Sequence, residues 1–311
     1  MKPLTLILLA AAVLAAAGGK AQQQSQAGDP PKKKEYVGSD SCAGCHEEIH
    51  TGFKKNAHSI LETNQKRGWA EKACESCHGP GSVHAETNEA ADILSPKLMS
   101  PAAIDAMCLG CHKNQATQVG RLQSGHARNA VACTACHNVH KTGEESSAVQ
   151  FRKPAGVNKN CAGCHVNSMA SFNKPHRHRL PEGAMSCTAC HNPHASFLNR
   201  NLRLANASEP GCLNCHANYR GPFIYEHAPV KNEPCTICHE PHGSINPRML
   251  TRHEIAPLCL ECHSNIQSGG RSGSLGGIPP SYHDLSNPRY RNCTICHQKV
   301  HGSNASRGLF R

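Results

Sequence analysis

Residues 187–194 read Cys187-Thr188-Ala189-Cys190-His191-Asn192-Pro193-His194, and this stretch decides what kind of protein the chain becomes. Two thiols three positions apart, with an imidazole directly after the second, form the attachment pattern of haem c. The thiols meet two vinyl groups of one porphyrin as thioethers, and the adjacent imidazole becomes the proximal iron ligand.

Working outward, the same pattern recurs until the cysteines run out. All 20 Cys fall into ten Cys-x-x-Cys pairs, each followed by His. The first five are Cys42-Cys45-His46, Cys74-Cys77-His78, Cys108-Cys111-His112, Cys133-Cys136-His137 and Cys161-Cys164-His165. The other five are Cys187-Cys190-His191, Cys212-Cys215-His216, Cys235-Cys238-His239, Cys259-Cys262-His263 and Cys293-Cys296-His297. Zinc ribbons and redox dithiols also use Cys-x-x-Cys, but neither requires His after every pair. A disulfide framework does not require the fixed spacing. The expectation is ten covalent haem c groups.

Ten proximal His leave thirteen of the 23. Met competes for the sixth position on haem iron, yet only Met99, Met107, Met169, Met185 and Met249 lie beyond the N-terminal apolar run, too few for ten irons. The ten motifs group as five two-haem units, approximately 37–96, 97–148, 149–200, 201–247 and 248–311. Each unit has an odd-numbered motif, a spacer His, an even-numbered motif and a trailing His. The spacer His are His58, His126, His176 or His178, His227 and His283; the trailing His are His84, His140, His194, His242 and His301. These are the expected distal ligands. His50, His253 and one of His176 and His178 are left over. A trailing His three residues after its proximal His cannot reach the far face of the same porphyrin, so it must serve a different haem. The spacer His can serve the odd haem behind it or the even haem ahead.

The rest of the sequence fits cofactors in place of a side-chain core. Aromatics are 4 % with a single Trp, mean hydropathy is −0.51, and 26 Gly and 20 Pro interrupt the chain. The expected fold is a multihaem cytochrome c, short α-helices and irregular loops around a chain of ten haems with almost no β. Units repeated in line predict an array in which each haem contacts mainly its neighbours. Local helix signals precede the odd motifs: Ser100-Pro101 before Cys108, Glu209-Pro210 before Cys212 and Ala256-Pro257 before Cys259. Gly269 to Pro280 reads as a surface loop.

Residues 1–21 read as a Sec-type signal peptide, since the apolar run from Leu4 to Ala17 is short for a bilayer span. Residues 22–36 read as a flexible leader, and 37–311 as the cytochrome domain. Export suits covalent haem attachment and predicts a periplasmic protein. The formal charge of +11 first suggests an acidic partner such as nucleic acid. Removing Lys2 and Lys20 leaves 31 cationic residues against 22 acidic ones, a balance of +9. Ten haems add about −20 through their propionates, which ferric irons return to about −1 overall. The basic excess is internal compensation, and a nucleic-acid partner is excluded.

With these residues in view, the chain resembles the periplasmic decahaem c-type cytochromes of the MtrA/DmsE type, inner components of porin–cytochrome conduits. The similarity rests on the ten motifs and their alternating order over residues 36–303, on Cys74 to His84 (CESCHGPGSVH), and on the related segments at Cys133, Cys187 and Cys235. It implies bis-His haems in a wire-like chain, an outer-membrane β-barrel porin as sheath, and no catalytic haem. It also implies a periplasmic or inner-membrane cytochrome as donor and an outer-surface cytochrome or terminal reductase as acceptor. The function expected is an electron carrier without catalytic residues. The alternative is a multihaem reductase of a small nitrogen or sulfur oxyanion with one open haem, for which His176-Arg177-His178-Arg179 or Tyr219-Arg220 would supply protons and charge.

Overall fold

In a computed structural model, the structure describes residues 33–196, 198–205, 209–263, 283 and 287–311. The signal peptide, residues 22–32 of the leader and Gly269–Pro280 lie outside the described residues. Helices of four to twelve residues and short 3-10 helices alternate with loops, and among the described residues pairing between extended segments is limited to isolated bridges such as His191 with Leu202 and His239 with Leu250. Among the described residues no helix is long and apolar enough to cross a membrane.

Each motif forms one turn of helix. The proximal His N–H donates to the carbonyl of the first Cys of its motif, at 2.9 Å in His46, His137, His165 and His191. A helical turn places residues three apart on one face, so both thiols of a motif point the same way. Odd and even motifs enter that turn differently. Odd motifs 1, 3, 5 and 9 sit toward the ends of α-helices, and motif 7 lies in the 3-10 helix Gly211–Asn214. The longest, Pro101–His112, starts at Ser100, whose Oγ accepts the Ala103 N–H, with Pro at the first position. Pro154–Ala162 and Ile255–Leu260 lead into Cys161 and Cys259 in the same manner. Even motifs 4, 6 and 8 start from extended backbone, as in Cys133–Ala135 and Cys235–Ile237, whereas motif 2 starts from helical Cys74.

Polar anchors, not an apolar core, join odd to even. Buried apolar side chains are few and scattered, among them Val83, Ile104, Val157 and Phe172. Three residues before the first Cys of motifs 1, 3 and 5 stand Ser39, Asp105 and Asn158, all buried. Ser39 Oγ accepts the N–H of Cys74 at 3.4 Å, Asp105 Oδ1 that of Cys133 at 2.9 Å, and Asn158 Oδ1 that of Cys187 at 2.9 Å. Asp105 also pairs with buried Arg121 at 2.8 Å. Glu75, 1 % exposed, accepts the backbone N–H groups of Val37, Gly38 and Gly81. This ties the N-terminal segment to motif 2. Residues 33–36, expected as the end of a flexible leader, are held there too: Glu35 N–H donates to Ser82 Oγ and Tyr36 packs edge-on against Trp69.

Candidate haem-ligand array

Every proximal imidazole faces a second imidazole. Ring centres lie 6.0 to 6.4 Å apart in ten pairs: His46 with His84, His78 with His140, His112 with His58, His137 with His194, and His165 with His126. The remaining five are His191 with His242, His216 with His178, His239 with His301, His263 with His227, and His297 with His283. Two imidazoles bound to opposite sides of one metal through bonds of about 2 Å hold their ring centres about 6 Å apart. The spacing therefore fits a haem iron between each pair and is too wide for direct ring stacking.

The donor set fits in its protonation as well. Nδ1 of His78, His84, His191 and His239 lies 2.9 Å from the carbonyls of Leu94, Glu89, Arg200 and Arg248. A carbonyl only accepts, so Nδ1 carries the hydrogen and Nε2 keeps the lone pair that a metal needs. His126 and His178 donate in the same way to Pro193 and Pro241, at 2.9 and 2.8 Å. Burial, followed by the facing ring, pushes His58, His140, His242, His283 and His301 below the ordinary imidazole range. For His227 burial comes first, against a raising hydrogen bond at the Val300 backbone, and His194 is pushed down to about 4 by burial and then His137. Neutral imidazole is the ligating form.

The pairs follow a rule that spacing alone left open. Each trailing ring reaches back past the intervening odd motif: His140 to motif 2, His194 to motif 4, His242 to motif 6 and His301 to motif 8. Of the spacer rings only His283 serves the even motif ahead, and the other four serve neither the odd motif behind nor the even motif ahead, contrary to expectation. They reach past the even motif to the next odd one: His58 to motif 3, His126 to motif 5, His178 to motif 7 and His227 to motif 9. Packing of one unit on the next makes this possible. The carbonyl that fixes His126 belongs to Pro193, immediately before trailing His194, and the carbonyl that fixes His178 belongs to Pro241, immediately before His242. In the first unit Asn56 does the joining, with Nδ2 donating to the Val139 carbonyl at 2.7 Å and Oδ1 3.2 Å from His58 Nδ1. At the two ends no further motif exists to reach, and His84 faces motif 1 while His283 faces motif 10.

Of the two candidates in the third unit, His178 faces a proximal ring. His176 instead forms a backbone bridge with Ser244. His50 lies 4.0 Å from Asp40, away from the ring pairs. Of the proposed proton donors of a reductase, Arg177 and Arg179 pair with Glu182 and Arg220 with Glu209, whereas Tyr219 packs against the rings of His216 and His301. Sequence reasoning missed Ser39, Asp105 and Asn158. Their signal was a small polar residue at one fixed offset before the motif cysteine.

The cysteines place the motifs in sequence order. Cys42 lies within hydrogen-bonding reach of Cys74, Cys108 of Cys133, Cys161 of Cys187, Cys212 of Cys235 and Cys259 of Cys293. Cys77 lies close to Cys108 and Cys111, Cys136 to Cys161, Cys190 to Cys212 and Cys215, and Cys238 to Cys262. Motifs 1 to 10 thus follow one another in single file, with the closest approach inside each odd–even pair.

Known proteins share the sequence pattern. The doubled CXXCH motif family matches residues 179–221 and 227–268, each segment holding an even motif and the odd motif after it. The cytochrome c554 and c-prime family matches residues 10–79. The multiheme cytochrome MtrA of Shewanella baltica (strain OS185) is 35 % identical over 284 residues, covering 87 % of this chain and 80 % of the relative. The chain belongs to the MtrA family of multihaem c-type cytochromes, electron-transfer proteins that hold haem c through Cys-x-x-Cys-His.

Proposed function

We propose that the protein binds ten haem c groups, each ligated by one of the ten ring pairs, and passes electrons along them from one end of the array to the other. The observation that carries this reading is the complete pairing of proximal imidazoles, each with a second ring 6.0 to 6.4 Å away. Bound haem supplies a one-electron couple between ferric and ferrous iron. The chain supplies two axial nitrogens per site, fixes their tautomers through backbone carbonyls, and keeps the motifs in single file. With both faces occupied, no position remains for a substrate oxyanion, which favours a carrier over a reductase. Arg177, Arg179 and Arg248, which line one shallow cleft, are placed to offset haem propionates.

The protein acts in the periplasm after removal of residues 1–21, seated in an outer-membrane β-barrel porin. It takes electrons from a periplasmic or inner-membrane cytochrome and delivers them to an outer-surface cytochrome or terminal reductase. Support for this finer reading is the likeness to MtrA over most of both chains and the single-file order of motifs. Two measurements test it. Intact mass of the purified protein should show ten haems on a chain lacking the N-terminal segment, with an EPR spectrum that is low-spin throughout. Liposomes carrying the protein with its barrel partner should pass electrons from an external reductant to an enclosed dye. A large high-spin fraction together with nitrite or hydroxylamine turnover would overturn the carrier reading.

A further inference from the structure

The ten ring pairs are not alike in the angle between their planes. Six are near parallel, from 8° to 22°: motifs 1, 2, 4, 8, 9 and 10. Four are strongly crossed: motif 3 at 86°, motif 5 at 52°, motif 6 at 58° and motif 7 at 62°. Ring anchoring accompanies the division without setting it alone, since His227, a forward-reaching spacer ring hydrogen-bonded at the Val300 backbone, lies in a parallel pair. Three of the four crossed pairs contain a forward-reaching spacer ring with an anchored Nδ1. His126 and His178 are held by the carbonyls of Pro193 and Pro241, and His58 by Asn56. The proximal rings opposite belong to odd motifs at helix ends. In four of the five pairs with a trailing ring the planes align. The exception is His242, against which the buried Phe172 ring packs at 5.1 Å and 40°.

Ring orientation matters electronically because each axial imidazole donates π density into one iron d orbital, perpendicular to its plane. Parallel planes act on the same orbital and split it from its partner. Crossed planes act on both, bring them toward degeneracy and remove the stabilisation that the splitting gives to ferric iron. Building on the bis-His reading above, we infer that the axial planes sort the sites into two electronic classes, crossed at motifs 3, 5, 6 and 7 and parallel at the other six, and that reducing equivalents settle first on the crossed sites. Motifs 5, 6 and 7 are consecutive, so the middle of the array is an electron reservoir flanked by ends that are reduced later.

EPR of the fully oxidised, haem-loaded protein tests this. Four tenths of the low-spin intensity should appear as a large-gmax, strongly anisotropic signal and six tenths as an ordinary rhombic one. In a reductive titration the large-gmax signal should fade first. A single rhombic class, or loss of the rhombic signal first, overturns the inference while leaving bis-His ligation intact; high-spin iron in the unaltered protein would instead overturn the ligation on which it rests. His126→Ala should remove one quarter of the large-gmax intensity and leave the rhombic signal unchanged. His140→Ala should remove one sixth of the rhombic intensity, and the reverse result in either variant contradicts the assignment.

Discussion

The interior of this molecule and its two ends obtain the second imidazole from different places. In the interior, from motif 2 to motif 9, each facing ring is carried on the far side of a neighbouring motif. Unit 97–148 lends His140 back to motif 2 and takes His58 for motif 3; unit 149–200 lends His194 back and takes His126. At the ends His84 and His283 turn to motifs in their own units. A solenoid relies on apolar interfaces between repeats and polar caps at its ends. Here the exchanged ligands do the joining, and the self-closed terminal sites are the caps. With haem bound as proposed, the comparison teaches why so few buried apolar side chains suffice: coordination would link neighbouring units, and none of the interior ones completes its ring pairs alone.

The comparison breaks most sharply at the exchanged ligands. His194→Ala opens site 4, so about one tenth of the iron should turn high-spin, and it also uncouples two units, at a cost on the order of several kcal/mol. His84→Ala opens site 1 to the same spectroscopic extent but cuts no link between units. Calorimetry should find the larger loss of stability in His194→Ala; equal losses would mean that the exchange does not join the units.

Next come the polar anchors. Asp105→Ala leaves Arg121 buried without a counter-charge, and removing one partner of such a pair costs about 3–5 kcal/mol. Asn158, which occupies the equivalent place one unit later, has no buried cation to balance. Asn158→Ala removes acceptors for Cys187 N–H and donors to the Leu180 and Met185 carbonyls, and should cost about 1–3 kcal/mol. Denaturant melts of the two variants give the ratio directly.

At the N-terminal end, Glu75→Gln replaces one acceptor oxygen by a donor facing backbone N–H groups. A loss of about 1–3 kcal/mol is expected. Release of residues 33–38, read as faster amide exchange at Val37 and Gly38, should accompany it, with the interior unaffected.

The most local effect is on Gly243, which follows trailing His242 at φ +137°. A Cβ there would lie 2.4 Å from the Ser171 carbonyl. Gly243→Ala should cost about 1–3 kcal/mol by overpacking and displace His242 from motif 6. Ala195, at the same place after His194, already has φ 124° and is accommodated, so the loop tolerates the conformation where space permits. The visible spectrum of Gly243→Ala should show the displacement.

Acid should act on site 4 in a defined direction. His194 in the folded chain is pushed down to about 4 from an ordinary value near 6.5. Its folded state binds fewer protons, so the stability from keeping this ring neutral is fully present above about pH 6.5 and is lost as pH falls toward 4. In the haem-loaded protein acid can protonate this ring only by displacing it from iron, so a low-spin to high-spin conversion at site 4 should appear as the pH falls, and His194→Ala, which already opens the site, should lack that step.

The sequence made the attachment sites plain because covalent chemistry demands a rigid local pattern, and the ten Cys-x-x-Cys-His segments could be read without knowing the fold. It also showed that trailing rings such as His194 leave their own haem, because a three-residue tether cannot span a porphyrin. It could not show where His58 or His126 goes. Their destinations are set by contacts with Val139 and Pro193 in the following unit, more than sixty residues away. The choice between His176 and His178 was hidden for the same reason, since it depends on which one meets the Pro241 carbonyl and which pairs with Ser244.

The exchange of ligands between units is tested most directly by an experimental structure of the haem-loaded protein that shows the iron ligands. The account predicts the motif 4 iron between His137 and His194 and the motif 5 iron between His126 and His165. Iron of motif 4 bound by His126 or His140 from its own unit, or by water, would contradict it.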